Sequence, residues 1–136
     1  MVALVEHDDR MLLERRVDSR RWGLVGGAVE LDESLPAALC REVLEETGVA
    51  ARIIRLVGIF SDPSRIIRYL DGYTIRIITF AYQVELDRPN HVQPSPESLE
   101  LRFFRREELS TLDIVETHRH IVDSYLTGST NLPILN

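Results

Sequence analysis

The sequence predicts an α/β or α+β fold built on a mixed β-sheet. Three observations carry that expectation. Aliphatic and β-branched runs at residues 2–5, 51–60 and 73–86 are separated by polar turn segments. Two segments, 34–47 and 112–126, place apolar residues at helical spacing. The 136 residues, 44% hydrophobic and 28% charged, suit one globular domain spanning 1–136.

Each element has a local reason. Residues 2–5 form a short apolar strand that starts so near the first residue that an earlier natural start stays open. A polar turn at 7–10 leads to a second strand at 11–16, and the two pair as a hairpin. Residues 17–21 are a charged loop. The segment 22–30 holds Gly23, Gly26 and Gly27, marks of a sharp turn or a close approach to the backbone. Ser34 caps the first helix, and Pro36 is tolerated in a first turn that lacks internal N–H partners. That helix runs to about Thr47 and stops at Gly48, a residue suited to a left-handed cap. Residues 51–60 read as one strand or two, and 61–70, with Asp62-Pro63-Ser64, as a loop. The alternating, β-branched stretch 73–86 is a single long strand. Three prolines make 87–96 a loop, and 99–105 is a short strand. In 112–126, Ile114, Val115, His118, Ile121, Val122 and Tyr125 recur at helical spacing. The tail 127–136 is expected to be irregular.

Composition removes several function classes. Sixteen basic against twenty-two acidic residues give a net charge of −6, which argues against nucleic acid as a partner. The same excess allows carboxylates to collect around a divalent cation. The single cysteine, Cys40, excludes an intramolecular disulfide and a cysteine zinc cluster. No apolar run approaches the roughly 20 residues of a membrane span. The first residues lack the basic region and apolar core of a secretory signal. The expectation is a soluble, cytoplasmic protein without a membrane partner.

The first helix carries the chemistry. At about 100° per residue, Glu42, Glu45 and Glu46 share an arc of about 100°, with Cys40, Val43, Leu44 and Thr47 on the far side. Like charges at that spacing repel. A hard cation with oxygen ligands, Mg²⁺ or Mn²⁺, would relieve them. Arg41 borders the cluster and can fix a carboxylate by a hydrogen bond. Read by itself, a glutamate-rich helix is more often a solvated face.

The surrounding residues overturn that reading. The order is Gly27, five residues, Glu33, seven residues, Arg41-Glu42-Val43, one residue, Glu45-Glu46, one residue, Gly48-Val49. Chance agreement is on the order of 10⁻⁹ per start point at average residue usage. The pattern resembles the complete Nudix box, and the chain is identified on it as a member of the Nudix hydrolase family. Looser resemblance runs from Leu12-Leu13-Glu14-Arg15-Arg16 before the box to Glu97 and Phe103-Phe104 after it. Two neighbours depart from the commonest pattern. Val25 stands where a proline often precedes the glycines, and Asp32 where a glycine often precedes the glutamate.

The resemblance implies an α/β/α sandwich and hydrolysis of a nucleoside diphosphate linked to another group, with Mg²⁺ or Mn²⁺ required. It implies that Glu42, Glu45 and Glu46 ligate metal, joined by the main-chain carbonyl of Gly26. Arg41 would orient a glutamate, Glu45 in the first place, and Glu33 would brace the loop against the helix. The general base is a box glutamate, Glu45 or Glu42, or a loop acid, for which Glu97 fits the family's position better than Glu100. Arg16, at the end of the second strand, suits phosphate through its planar fork, though an edge-strand charge reads equally well. Arg65, Arg68 and Tyr69 could reach phosphate or stack on a base, against the simpler reading of a solvated loop. Trp22 is either core or cleft wall. His118 and His120 lack zinc spacing and read as helix residues, and Cys40 as an inert packing residue. The partner is a small nucleotide, and a homodimer is open because dimers are common in the family. The competing function is a non-catalytic Nudix domain that senses or binds a nucleotide metabolite. Processing of RNA 5′ ends is a third reading, against which the acidic charge counts. The nucleotide itself is not encoded in the box.

Overall fold

The structure is a computed structural model that describes residues 1–69, 71–128 and 133–135. Strands β1 (Val2–His7) and β2 (Arg10–Arg16) form the expected hairpin. Its turn places Asp8 and Asp9 at φ of 48° and 58°, the left-handed region that a tight hairpin demands and aspartate tolerates. The two-residue β3 (Trp22–Gly23) pairs with β2 and leads into the glycine loop. Helix α1 (Leu35–Thr47) follows, capped by the Ser34 hydroxyl and closed by Gly48 at φ 71°. The ten-residue β4 (Ala51–Phe60) comes next. Then come β5 (Ile66–Arg68), β6 (Thr74–Arg76) and β7 (Thr79–Leu86). A single 3₁₀ turn (Pro89–His91) precedes β8 (Ser98–Arg105). Helices α2 (Arg106–Leu109) and α3 (Glu116–Thr127) and strand β9 (Ile134–Leu135) complete the described elements.

The sheet order is β3-β2-β1-β7-β4-β9, with β8 also on β2. β1 runs parallel to β7 and β4 parallel to β9, while β4–β7, β1–β2 and β2–β8 are antiparallel. The mixed sheet is therefore as expected. Alternation along β1 sorts its side chains into two cores. Val2 and Leu4 join Ile121 and Val122 of α3, whereas Ala3 and Val5 join Leu39 and Val43 of α1. A helix on each face makes the α/β/α sandwich, and each fully buried aliphatic side chain adds roughly 1.5–3 kcal/mol to holding it. Among the described residues no helix is long and apolar enough to cross a membrane.

Four expectations need correction. The loop expected at 61–70 contains β5, which pairs with β6; Leu70 lies outside the described residues. The single strand expected at 73–86 is broken at 77–78, because the Ile77 amide donates to the Arg65 carbonyl (2.8 Å) and folds β6 back on β5. The second long helix starts at Glu116 instead of 112. Trp22 holds the residues before it extended, donating to the Asp113 carbonyl and accepting from the Val115 amide, both at 2.9 Å. In the tail, Ile134 and Leu135 form β9 against Gly58 and Ile59, while 129–132 and 136 lie outside the described residues.

Candidate active site

The glycine loop lies directly over α1. Gly26 has φ 143°, where a side chain would collide with the Met1 carbonyl and lie 2.8 Å from the Val2 Cα. This turn aims the Gly26 amide at the helix, where it donates to Glu46 Oε2 at 2.8 Å. At Gly27 the constraint is close approach: a Cβ there would sit inside the Glu42 carboxylate, 2.7 Å from Oε2. The Gly27 carbonyl accepts from the Met1 ammonium at 2.7 Å. Gly26 thus touches α1 through its amide, whereas the expected contact to a metal runs through its carbonyl.

The three box glutamates occupy three different environments. Glu46 is only 7% exposed, Glu42 is half-buried and Glu45 is exposed. Glu46 belongs to the stripe of Leu39 and Val43, so the packing face includes it, and Leu44 is the residue turned to solvent. Beneath Glu46 lies Glu14 of β2, 1% exposed, which accepts from the Ser98 hydroxyl at 2.7 Å. Burial pushes Glu46 up to about 8; the negative charges of Glu14 and Glu42 add to the rise and the Gly26 amide opposes it. Burial also raises Glu14, against the Ser98 hydrogen bond and the charge of Arg16.

Arg41 ties the outer acids together. Its fork is bidentate to Glu33, Nε to Oε2 at 3.0 Å and Nη2 to Oε1 at 2.6 Å. Nη1 reaches Glu42 Oε1 at 3.0 Å and Glu45 Oε2 at 3.1 Å, and Nη2 reaches the Ala28 carbonyl at 3.3 Å. The hydrogen bond from Arg41 holds Glu33 below the usual carboxylate range.

No three acidic, histidine or cysteine side chains among the described residues converge as a ready metal cage. The donor chemistry nevertheless fits a hard divalent cation. Glu42, Glu45 and Glu46 supply carboxylate oxygens from one helix, and burial beside Glu14 and Glu42 leaves Glu46 short of compensating positive charge.

A groove of about 870 Å³ is lined by Arg16, Phe60, Arg65, Ile67, Val115 and His118 among others, and none of the box glutamates is in its lining. Arg16 joins the two regions. Its Nη1 lies 3.4 Å from Glu14, and its Nε and Nη2 hold Asp18 at 3.1 and 2.9 Å. His118 Nδ1 accepts the Leu24 amide at 3.0 Å, which ties α3 to the residue just before the glycine turn. Burial, with the positive charges of Arg16 and Arg65, pushes His118 down to about 3, so it is neutral.

The remaining candidates are dispersed. Arg68 and Tyr69 are exposed on the β5–β6 hairpin, outside the lining of the groove. Glu97 is exposed just before β8; its carbonyl accepts the Val17 amide (3.0 Å), and its charge contributes to raising Glu14. Glu100 is opposite Arg15 in the β2–β8 ladder. Trp22 packs edge-on to Phe104 with ring centroids 4.6 Å apart, on the core side. The Cys40 thiol is directed at the Ala51 carbonyl, 3.7 Å away. Glu14, Ser98 and the groove position of His118 were not assigned from sequence, whereas Arg65, weighed as a substrate contact against a solvated loop, is buried in the groove lining. For Glu14 a signal existed: it shares strand parity with Leu12, which faces α1.

Comparison with known proteins agrees with this architecture. The model of the NUDIX domain family matches residues 1–125. A MutT-like protein of Streptomyces ambofaciens is 40% identical over 46% of this chain, and that match spans only 40% of the relative's own length. A nucleoside triphosphatase, NudI, of an Enterobacter species is 32% identical over 81% of this chain and 79% of its own. Among solved structures, a NUDIX hydrolase from Nitrosomonas europaea superposes with a TM-score of 0.74 at 21% identity, over 99% of this chain and 77% of that one.

Proposed function

This chain belongs to the NUDIX domain family, and we propose that it is a divalent-metal-dependent hydrolase of the diphosphate linkage in nucleoside diphosphate derivatives. The observation that carries the reading is the buried Glu46 carboxylate. It is held by the Gly26 amide, pressed by the charges of Glu14 and Glu42, and linked through the charge of Arg16 to a groove of about 870 Å³. A non-catalytic domain would have no use for so costly an arrangement of acids.

Glu42, Glu45 and Glu46, with the Gly26 carbonyl, would hold Mg²⁺ or Mn²⁺. When bound, the cation supplies Lewis-acid stabilisation of the charge that develops on the phosphate oxygens. Arg41 is a positioning residue: anchored on Glu33, it keeps Glu42 and Glu45 from turning outward. Arg16, at the junction of carboxylates and groove, receives a phosphate oxygen of the substrate. Glu97 takes the proton of the attacking water. Glu45 is the alternative base, but Arg41 already engages its carboxylate. The substrate is a small nucleotide whose nucleoside part enters the groove. Arg68 and Tyr69, on the exposed hairpin, would meet only the outer part of a bound nucleotide.

The test is a panel of nucleoside diphosphate sugars, dinucleoside polyphosphates and nucleoside di- and triphosphates, incubated with and without Mg²⁺ or Mn²⁺. Metal-dependent release of a nucleoside monophosphate or diphosphate from one class is expected, and Glu97→Gln should slow it about 10²- to 10⁴-fold. Absence of turnover across the panel would refute the reading.

A further inference from the structure

Arg65 is a buried guanidinium in the groove, acted on by the charge of Asp62 but held in no ion pair among the described residues. It is 6% exposed. Its Nη2 is consumed by the Thr79 hydroxyl at 2.9 Å and the Thr117 carbonyl at 2.8 Å. Its Nε–H is buried without a partner among the described residues. Arg16, Arg21, Arg41, Arg52, Arg102 and Arg119 all make ion pairs, whereas Arg65 makes none among the described residues. Leaving a buried donor unmatched is costly, and a guanidinium can only donate.

The surroundings say what kind of group would match it. Phe60 lies under the guanidinium, 5.9 Å from ring centroid to Cζ, and Ile66, Ile67 and Ile77 line the same groove. Much of the remaining lining is polar, with Asp62, Ser64 and Thr117 among it, so the apolar stretch of Phe60, Ile66, Ile67 and Ile77 beside the guanidinium is the part suited to a flat ring that a fixed donor orients. A phosphate would call for several donors, and the groove's other guanidinium, Arg16, is already held by Asp18 and Glu14. The Arg65 fork is also rigid, stitched to β7 through Thr79 and to α3 through Thr117.

We propose that Arg65 is the specificity-determining residue of the groove, donating to a carbonyl oxygen on the nucleobase, so that oxo bases are preferred over their amino counterparts. The inference rests on the hydrolase reading of the box carboxylates. An amino group in place of the carbonyl would bring donor against donor in a buried site. That mismatch costs about 10- to 100-fold in discrimination.

Two matched pairs test it: inosine against adenosine 5′-triphosphate and uridine against cytidine 5′-triphosphate, each assayed for kcat/KM. Each pair exchanges an oxo for an amino group on an otherwise similar ring. The expected wild-type preference for the oxo member is about 10-fold or more in both pairs. Arg65→Met should bring both ratios close to unity, while Arg65→Lys, which keeps a donor, should retain part of the preference. A purely structural role for Arg65 would lower both members of each pair together and leave the ratios unchanged. Wild-type ratios near unity, or ratios that survive in Arg65→Met, overturn the proposal. Should Arg65→Met not fold, the wild-type and Arg65→Lys ratios decide. If no triphosphate is cleaved, calorimetric binding of inosine and adenosine 5′-monophosphates tests the groove independently of hydrolysis. Tighter binding of the inosine compound upholds the Arg65 reading, and equal or weaker binding overturns it.

Discussion

Replacing His118 with asparagine isolates one source of acid sensitivity at the active-site loop. In the folded protein the ring accepts the Leu24 amide through Nδ1 at 3.0 Å and must stay neutral to do so. Its value is about 3 when folded, against an ordinary 6.5. Between those values the unfolded chain binds a proton that the folded chain refuses, so stability falls as pH drops from 6.5 toward 3. Between about pH 7.5 and about pH 4.5 the loss from this one residue is at most about 3 kcal/mol. The asparagine Oδ1 falls where Nδ1 was and can accept the same amide, but it does not titrate. The missing ring atoms cost about 1–2 kcal/mol, equally at both pH values. Urea unfolding of both proteins at the two pH values reads the difference. The variant is expected to be less stable near neutrality and to lose less on acidification, by up to about 3 kcal/mol. Parallel losses in the two proteins would refute the assignment of a half-buried, neutral His118.

The carboxylate cluster yields three more expectations. Glu46 titrates at about 8 when folded against 4.5 normally, so its contribution to stability is lost as pH rises through that window. Metal-free Glu46→Gln should therefore melt above the wild type near pH 8, by the equivalent of about 2–4 kcal/mol, with the gap closing near pH 5. Gly27→Ala pushes a methyl into the Glu42 carboxylate. Steady-state assay should show hydrolysis reduced about 100-fold, and calorimetry a loss of about 1–3 kcal/mol in stability. Arg41→Met releases Glu33, Glu42 and Glu45 together, and isothermal titration should show Mn²⁺ affinity weakened about 10- to 100-fold.

Local signals were readable wherever one residue sets the backbone. Ser34, Pro36 and Gly48 mark the ends of α1, and Asp8-Asp9 the first hairpin turn. The features that were not readable depend on contacts distant in sequence. The break at 77–78 comes from the Arg65 carbonyl, and the late start of α3 from Trp22, which lies some ninety residues earlier in the chain. The spacing of the box glutamates identifies the family but not their burial. Glu46 is enclosed because β2 brings Glu14 beneath it and the loop brings Gly26 above it. Glu14 itself looks like one charge in a charged strand end, and only its parity with Leu12 distinguishes it. Arg65 is hidden for the same reason: its burial is created by Phe60, Thr79 and Thr117 together.

The central claim is that the α1 carboxylates bind the metal on which hydrolysis depends. The most direct measurement is a titration of Mn²⁺ into chelator-stripped protein, followed by electron paramagnetic resonance and by nucleotide hydrolysis in the same samples, for the wild type and Glu46→Gln. Bound Mn²⁺ and hydrolysis should rise together in the wild type, and both should be lost at the same concentrations in the variant. Hydrolysis by the stripped protein, or full activity in Glu46→Gln with Mn²⁺ bound as in the wild type, would contradict the account.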